Sequence, residues 1–251
     1  NSTFSGNTST GTETEGGGAV AMTAAARHVV NVAGSTFTNN QSAASAAALS
    51  IKTTTEVVIV NSTFSGNVSS AGAGAIDLSG ATIGGTLRNL TVVDNTSGVD
   101  YLAVQRAAVE FSTGTVGTVM VNSILAANYN VAGTLDANCG GGTVQAHFNL
   151  FGESYLDASC SLGLAALGNK YALDTLVWDG DPLTSTDYLA PLALNGFTTE
   201  THAFNDPVAV DGILVDAGTT SDLVEPLELR DIACAKVDQR GASRASGNRC
   251  D

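Results

Sequence analysis

Basic residues are scarce in this 251-residue chain. Lys and Arg number 10 against 24 Asp and Glu, for a formal net charge of −14. No basic face is therefore available to neutralise nucleic-acid phosphates. Charged residues of both signs amount to only 14%, and no window carries Leu, Glu and Lys at helical spacing, which disfavours leucine-rich and ankyrin-type repeats. No apolar stretch approaches the length of a membrane span. No basic segment followed by an apolar one opens the chain at Asn1, so the sequence is expected to begin within a repeat, as a processed product, a fragment or part of a longer protein. Zinc is disfavoured too, because the chain has no Cys-x-x-Cys and His28, His147 and His202 lie far apart.

What the chain does have is a repeated phrase. Asn1-Ser2-Thr3-Phe4-Ser5-Gly6-Asn7 returns letter for letter as Asn61 to Asn67, with degenerate copies at Gly34 to Asn40, Asn89 to Asn95 and Asn122 to Asn128. The closing Asn falls at 7, 40, 67, 95 and 128, a spacing that signals a solenoid. Between copies lie short β-branched or apolar strings bounded by Gly, Ser, Thr and Asn. Ala19 to Met22, Arg27 to Val32, Ala47 to Ile51, Glu56 to Val60, Ala75 to Leu78, Ala107 to Phe111 and Thr118 to Val121 read as strands.

About three strands per period of roughly 28 residues suit a parallel β-helix, whose turns pair at about 4.8 Å. The expected fold is all-β, with roughly eight or nine coils on that spacing. Residues 1–168 form the regular coils, and 169–251 form an irregular cap or decorated last coils of the same domain. Asn7, Asn40, Asn67, Asn95 and Asn128 are expected at corners, in left-handed or bridge conformations and with stacked amides. Phe4, Phe37 and Phe64, followed by Val92 and Leu125, sit three residues earlier and should stack inward.

Several of these strings carry a family likeness. Gly17-Gly18-Ala19-Val20 and Gly74-Ala75-Ile76, each followed by a Ser-Thr-Phe-x-x-Asn phrase or its relic, look like the repeats of polymorphic outer-membrane-protein β-helices. Further on come Phe148 to Gly152, Asp181-Pro182-Leu183, Leu189 to Leu192 with Asn195-Gly196, and Thr199 to His202. Val210-Asp211, Asp216-Ala217-Gly218, Asp238 to Gly241 and Arg249-Cys250-Asp251 complete the series. That order resembles the choice-of-anchor Q proteins, a surface-protein group in the pectin-lyase-like superfamily. The resemblance implies a right-handed, single-stranded parallel β-helix and a cell-surface setting. It also implies that Arg240 closes one end of the stack, held by carboxylates and backbone carbonyls.

Four cysteines fall as two sequence-local pairs, Cys139 with Cys160 and Cys234 with Cys250. Local pairing is expected, although three connectivities exist. Each bridge would contribute about 3 kcal/mol by loop entropy, and oxidised pairs point to a secreted or surface protein. Sequons begin at Asn1, Asn7, Asn40, Asn61, Asn67, Asn89 and Asn95, largely because corners need Asn, Ser and Thr; a glycan would require an outward Asn. Residues 1–152 hold 8 acidic and 4 basic residues, and residues 153–251 hold 16 and 6. The late acidic residues suggest solubility or weak calcium binding, through Asp179, Asp181 and Asp187 or through Asp211 and Asp216. No other cofactor is expected.

The superfamily includes polysaccharide lyases and hydrolases, and fold alone does not decide between them and a scaffold. A hydrolase needs two carboxylates across a sugar bond, and a lyase needs a base beside a cation. Glu56, Asp77, Asp94, Asp100 and Glu110 are scattered, and Lys52, Arg88 and Arg106 are the only Lys or Arg between residues 28 and 169. Lys52, Asp77 and Glu110 could share one face. The expectation is a non-catalytic structural or adhesive protein, secreted or at a cell surface, assembling end to end with copies of itself. A polysaccharide-binding or polysaccharide-degrading protein is the alternative.

Overall fold

The structure is a computed structural model. It describes residues 1–11, 17–23, 28–44, 46–52, 55–80, 84–98, 107–112, 117–131, 138–147, 149–152, 170–171, 189–195, 199–203 and 238–239. These residues form an all-β arrangement of parallel strands in four stacked sheets.

Sheet I contains β1 (Thr3–Ser5), β5 (Thr36–Thr38), β9 (Thr63–Ser65), β13 (Thr91–Val93), β17 (Ile124–Ala126), β21 (Leu150–Phe151) and β22 (Lys170–Tyr171). Sheet II contains β2 (Thr8–Ser9), β6 (Gln41–Ser42), β10 (Val68–Ser69), β14 (Thr96–Ser97) and β18 (Tyr129–Asn130). Sheet III contains β3 (Val20–Met22), β7 (Leu49–Ile51), β11 (Ile76–Leu78), β15 (Val109–Phe111) and β19 (Cys139–Gly141). Sheet IV contains β4 (His28–Ala33), β8 (Thr55–Val60), β12 (Gly85–Arg88), β16 (Val119–Val121) and β20 (Gln145–His147). The chain visits the sheets in the order I, II, III, IV, and from β1 to β17 each strand pairs in parallel with the strand four places on, while β22 pairs with β21.

Each repeat therefore contributes four strands, where the sequence pattern suggests three. The additional strand is the two-residue element of sheet II, directly after each closing Asn. Two residues are too few to register as a period. The longer strands fall on the apolar strings, since their β-branched residues fit a pleated, half-buried surface.

Register is fixed by the phrase. Phe4 aligns with Phe37, Phe64, Val92, Leu125 and Phe151 across sheet I. The three leading rings stack with centroids 4.7 Å apart and planes 9° and 2° from parallel. Such stacks add about 0.5–1.5 kcal/mol per pair beyond area burial. Leu49, Ile76 and Val109 of sheet III and Ile59, Leu87 and Met120 of sheet IV pack into the same buried cluster. A one-residue slip would turn these side chains outward, so every rung holds the register of the next.

The corners differ from expectation in one respect. Left-handed backbone falls on the residue before each closing Asn, namely Gly6 (φ 66°), Asn39 (54°), Gly66 (66°), Asp94 (57°) and Ala127 (50°). A second set, Gly34, Asn61, Asn89 and Asn122, has φ between 50° and 58° and leads from sheet IV into sheet I. The closing Asn is absent from both sets because its side chain is committed to neighbouring rungs, while the preceding residue turns the chain.

The expected change of character at residue 168 lies outside the described residues, as does Arg240. Within the C-terminal section, Lys170–Tyr171 extends sheet I as β22, whereas residues 199–203 and 239 bond to the second and third repeats. Thr199 Oγ1 donates to the Gly34 carbonyl at 3.4 Å, and Thr36 Oγ1 donates to the Glu200 carbonyl at 2.6 Å. A bridge between Ala193 and Thr201 is antiparallel. No helix among the described residues is long and apolar enough to cross a membrane.

Candidate functional site

Three polar arrangements stand out, and the first is the asparagine ladder. Asn40 Oδ1 accepts the Asn7 backbone N–H (3.0 Å) and Nδ2 (2.9 Å). Asn67 Oδ1 does the same for Asn40 at 3.1 and 2.9 Å, and Asn95 Oδ1 for Asn67 at 3.1 and 2.8 Å. Asn128 Oδ1 closes the series with Asn95 at 3.1 and 3.0 Å. The remaining amide hydrogens of Asn40, Asn67 and Asn95 go back to the carbonyls of Phe4, Phe37 and Phe64, each at 3.0 Å. An internal ladder Asn thus uses two donors and two acceptor sites. Asn40, Asn67 and Asn95 are fully buried, a position that costs heavily unless every polar atom is satisfied.

The ladder has direction. At its far end Asn128 Nδ2 donates to the Val92 carbonyl and, at 2.8 Å, to Asn138 Oδ1, a residue only ten positions on. At its near end the Asn7 side chain bonds only to Asn40 among the described residues, while its backbone also pairs with Asn40 Oδ1 and with the Gln41 N–H. Burial also sorts the sequons. Asn40, Asn67 and Asn95 have no exposed amide and Asn89 is buried, whereas Asn1 and Asn7 are exposed and Asn61 is half-buried. In the folded chain only the last three leave room for a glycan.

The second arrangement is a polar column on sheet III, where Ala21, Ser50, Asp77, Glu110 and Gly140 align in successive rungs. Lys52 Nζ is paired with Asp77 Oδ2 and donates to Ser79 Oγ at 2.7 Å. The Ser79 N–H reaches Asp77 Oδ1 at 2.8 Å. Glu110, one rung on, accepts the Ala107 N–H at 2.9 Å. A side chain at Gly140 would meet Glu110 Oε1 at 2.7 Å, so glycine leaves space for that carboxylate. Asp77 and Glu110 are both buried. The structure thus joins Lys52 to Asp77 and sets Glu110 beside them, while Glu56 is exposed on sheet IV and Asp94 occupies a corner. Asp100 and Arg106 lie outside the described residues. With both oxygens engaged, Asp77 is suited to holding adjacent rungs together.

The third arrangement was not visible in the sequence. Gln239 is buried and bridges four groups: its Nε2 donates to Thr36 Oγ1 (2.9 Å), Thr199 Oγ1 (3.1 Å) and the Glu200 carbonyl (3.4 Å), and its Oε1 accepts from Thr63 Oγ1 (2.9 Å). His202 adds a contact from Nε2 to Ser65 Oγ at 3.0 Å and one from Nδ1 to the Ala190 carbonyl at 2.8 Å. The outward hydroxyls of the repeated phrase therefore receive the C-terminal section. The signal lay in the phrase itself, whose Thr and Ser flank an inward Phe and must face outward by strand alternation.

His147 is fully buried with neither ring nitrogen hydrogen-bonded. Burial lowers its pKa by disfavouring the charged imidazolium. Cys139 is buried and disulfide-bonded. Its partner lies outside the described residues, as do Cys160, Cys234 and Cys250. The calcium candidates Asp179, Asp181, Asp187, Asp211 and Asp216 also lie outside them. Among the described residues no group of three or more His, Cys, Asp or Glu could hold a metal ion.

No protein family, curated protein or solved structure matches this chain.

Proposed function

We propose that the chain is a right-handed, single-stranded parallel β-helix of the choice-of-anchor Q kind. It serves as a non-catalytic structural or adhesive element of an extracellular surface or filament. The carrying observation is the asparagine ladder, which runs from Asn7 to Asn128 and saturates each buried amide along the way. Repetition of one rung produces length and stiffness, which suits a scaffold. The stacked Phe column and the Lys52–Asp77 pair serve the same end by tying rung to rung. A secreted or surface location and pairing of Cys139 with Cys160 and of Cys234 with Cys250 belong to this reading, as does end-to-end association with further copies.

The alternative, a polysaccharide-binding or polysaccharide-degrading protein, draws on Asp77 and Glu110 standing in adjacent rungs of one column. Electron microscopy of the protein isolated without refolding separates the two. Regular end-to-end fibres support the structural reading. Dispersed rods that bind or cleave a polysaccharide, and lose that property in Asp77→Asn, replace it with the alternative.

A further inference from the structure

Lys52 and Asp77 lie 25 positions apart in the chain and one rung apart in the stack, Lys52 directly after β7 and Asp77 on its neighbour β11. Their side chains form an ion pair in which Asp77 is buried and the Lys52 side chain is 24% exposed. Among the described residues Asp77 is the one carboxylate that Lys52 meets. Glu110, on the next rung, accepts the Ala107 N–H and lies against Gly140.

The pair is held in one geometry by the turn after β11. Lys52 Nζ donates to Ser79 Oγ at 2.7 Å as well as to Asp77 Oδ2, and the Ser79 N–H donates to Asp77 Oδ1 at 2.8 Å. A side chain at Gly80 would run into the Lys52 Cα, so glycine lets the turn that carries Ser79 close on the lysine. The amine thus sits against one oxygen of a carboxyl group whose other oxygen already faces a backbone donor. Acyl transfer needs these two parts: a nucleophile at the carboxyl, and an N–H aimed where negative charge gathers in the tetrahedral intermediate.

We propose that Lys52 and Asp77 condense into a side-chain amide, a covalent staple between the second and third repeats. One proton passes from Nζ to Oδ2, which leaves a neutral amine and a carboxylic acid. The Nζ lone pair then bonds to Cγ while the C=O electrons move onto Oδ1, beside the Ser79 N–H. Nζ gives a second proton to Oδ2, the Cγ–Oδ2 bond breaks, and the C=O re-forms as water leaves. Both protons of that water come from Nζ, so no activated acyl donor or external base is needed. Two effects favour the step. Well-oriented neighbouring groups react at an effective concentration of about 10⁵–10⁸ M, and a neutral amide avoids the desolvation penalty that an ion pair carries when shielded from water. The exposed part of Lys52 gives the released water a way out. The staple concerns one chain alone and stands apart from the assembly reading above.

Mass spectrometry of the full chain, stored folded and then reduced and digested with trypsin, reads the link directly. Lys52 and Arg88 are the only Lys or Arg from residue 28 to residue 88, so an unlinked chain yields separate peptides 28–52 and 53–88. Trypsin does not cut after an acylated lysine. The linked chain should therefore yield one peptide, 28–88, lighter than its sequence by one water, with fragmentation placing the bond between Lys52 and Asp77. Lys52→Arg keeps a cation beside Asp77 without an amine that can condense, and it should retain its full mass, as should Asp77→Ala. Recovery of only the two full-mass peptides from the unsubstituted chain overturns the proposal. So does a bond from Lys52 to any other carboxyl group, or the same loss of water in Lys52→Arg. The deciding measurement is made on the unsubstituted chain, so a variant that fails to fold does not weaken it.

Discussion

One heptapeptide occurs twice in this molecule, and its two copies lead different lives. Asn1 to Asn7 is exposed at every position except a half-buried Phe4, whereas in Asn61 to Asn67 only Asn61 and Gly66 escape full burial. The backbone is indifferent to this change, for Gly6 and Gly66 share φ 66°. Local sequence therefore sets the conformation, and neighbouring rungs together with the Gln239 segment set the energetics. Seven identical residues can be a marginal edge or part of a core, depending on what stacks against them.

Removing the ladder amide should separate the copies most. Asn67→Ala strands two donors of Asn40 and the carbonyl of Phe37 in a buried setting, and should lower unfolding free energy by roughly 3–5 kcal/mol. Asn7→Ala should cost about 1 kcal/mol or less, because water replaces the lost partner. Urea denaturation measures both, and equal losses would break the comparison. Phe64→Ala should cost about 3–5 kcal/mol as a cavity mutation. Phe4→Ala, with one ring neighbour and a partly wet face, should cost about half as much or less by the same reasoning.

Gln239→Ala removes the group that distinguishes the copies from above. Loss of its hydrogen bonds to Thr36, Thr63, Thr199 and Glu200 should cost on the order of 1–3 kcal/mol. It should speed hydrogen exchange in β5 and β9 while leaving β1 as it was. If β1 responds equally, the covering segment reaches further than its described contacts. The smallest expected contrast is a control. Gly6→Ala and Gly66→Ala both place a side chain at φ 66°, so each should lose about 1–2 kcal/mol from backbone strain alone. Asn39 Oδ1, 3.0 Å from where the Gly66 Cβ would stand, adds a small increment. A large difference between the two glycines would mean that the backbone also senses its surroundings.

Much of the fold was legible because the phrase combines two periodicities. Alternation in Thr-Phe-Ser fixed the inward ring, and recurrence of Asn fixed the rung. The fourth strand escaped because Thr8–Ser9 and its equivalents are too short and polar to carry a pattern. Left-handed backbone was expected on the closing Asn and falls one residue earlier, on Gly6 and Gly66, which adopt it freely, and on Ala127, a residue that avoids it unless its surroundings impose it. The Lys52–Asp77 pair was half readable, since shared face follows from alternation but register does not. Gln239 was unreadable. Its partners lie up to 203 positions away, and no local spacing encodes a contact of that range.

That separation bears on timing. A chain emerging from a ribosome at about 5–20 residues per second exposes Thr36 on the order of ten to forty seconds before Gln239 exists. During that interval the hydroxyl face of the second and third repeats must stay wet and soluble. Hydroxyls tolerate such a wait, and an apolar seam in their place would invite premature association. The last contact made can thus report that synthesis has run past residue 239, and protection of Thr36 and Thr63 marks that stage.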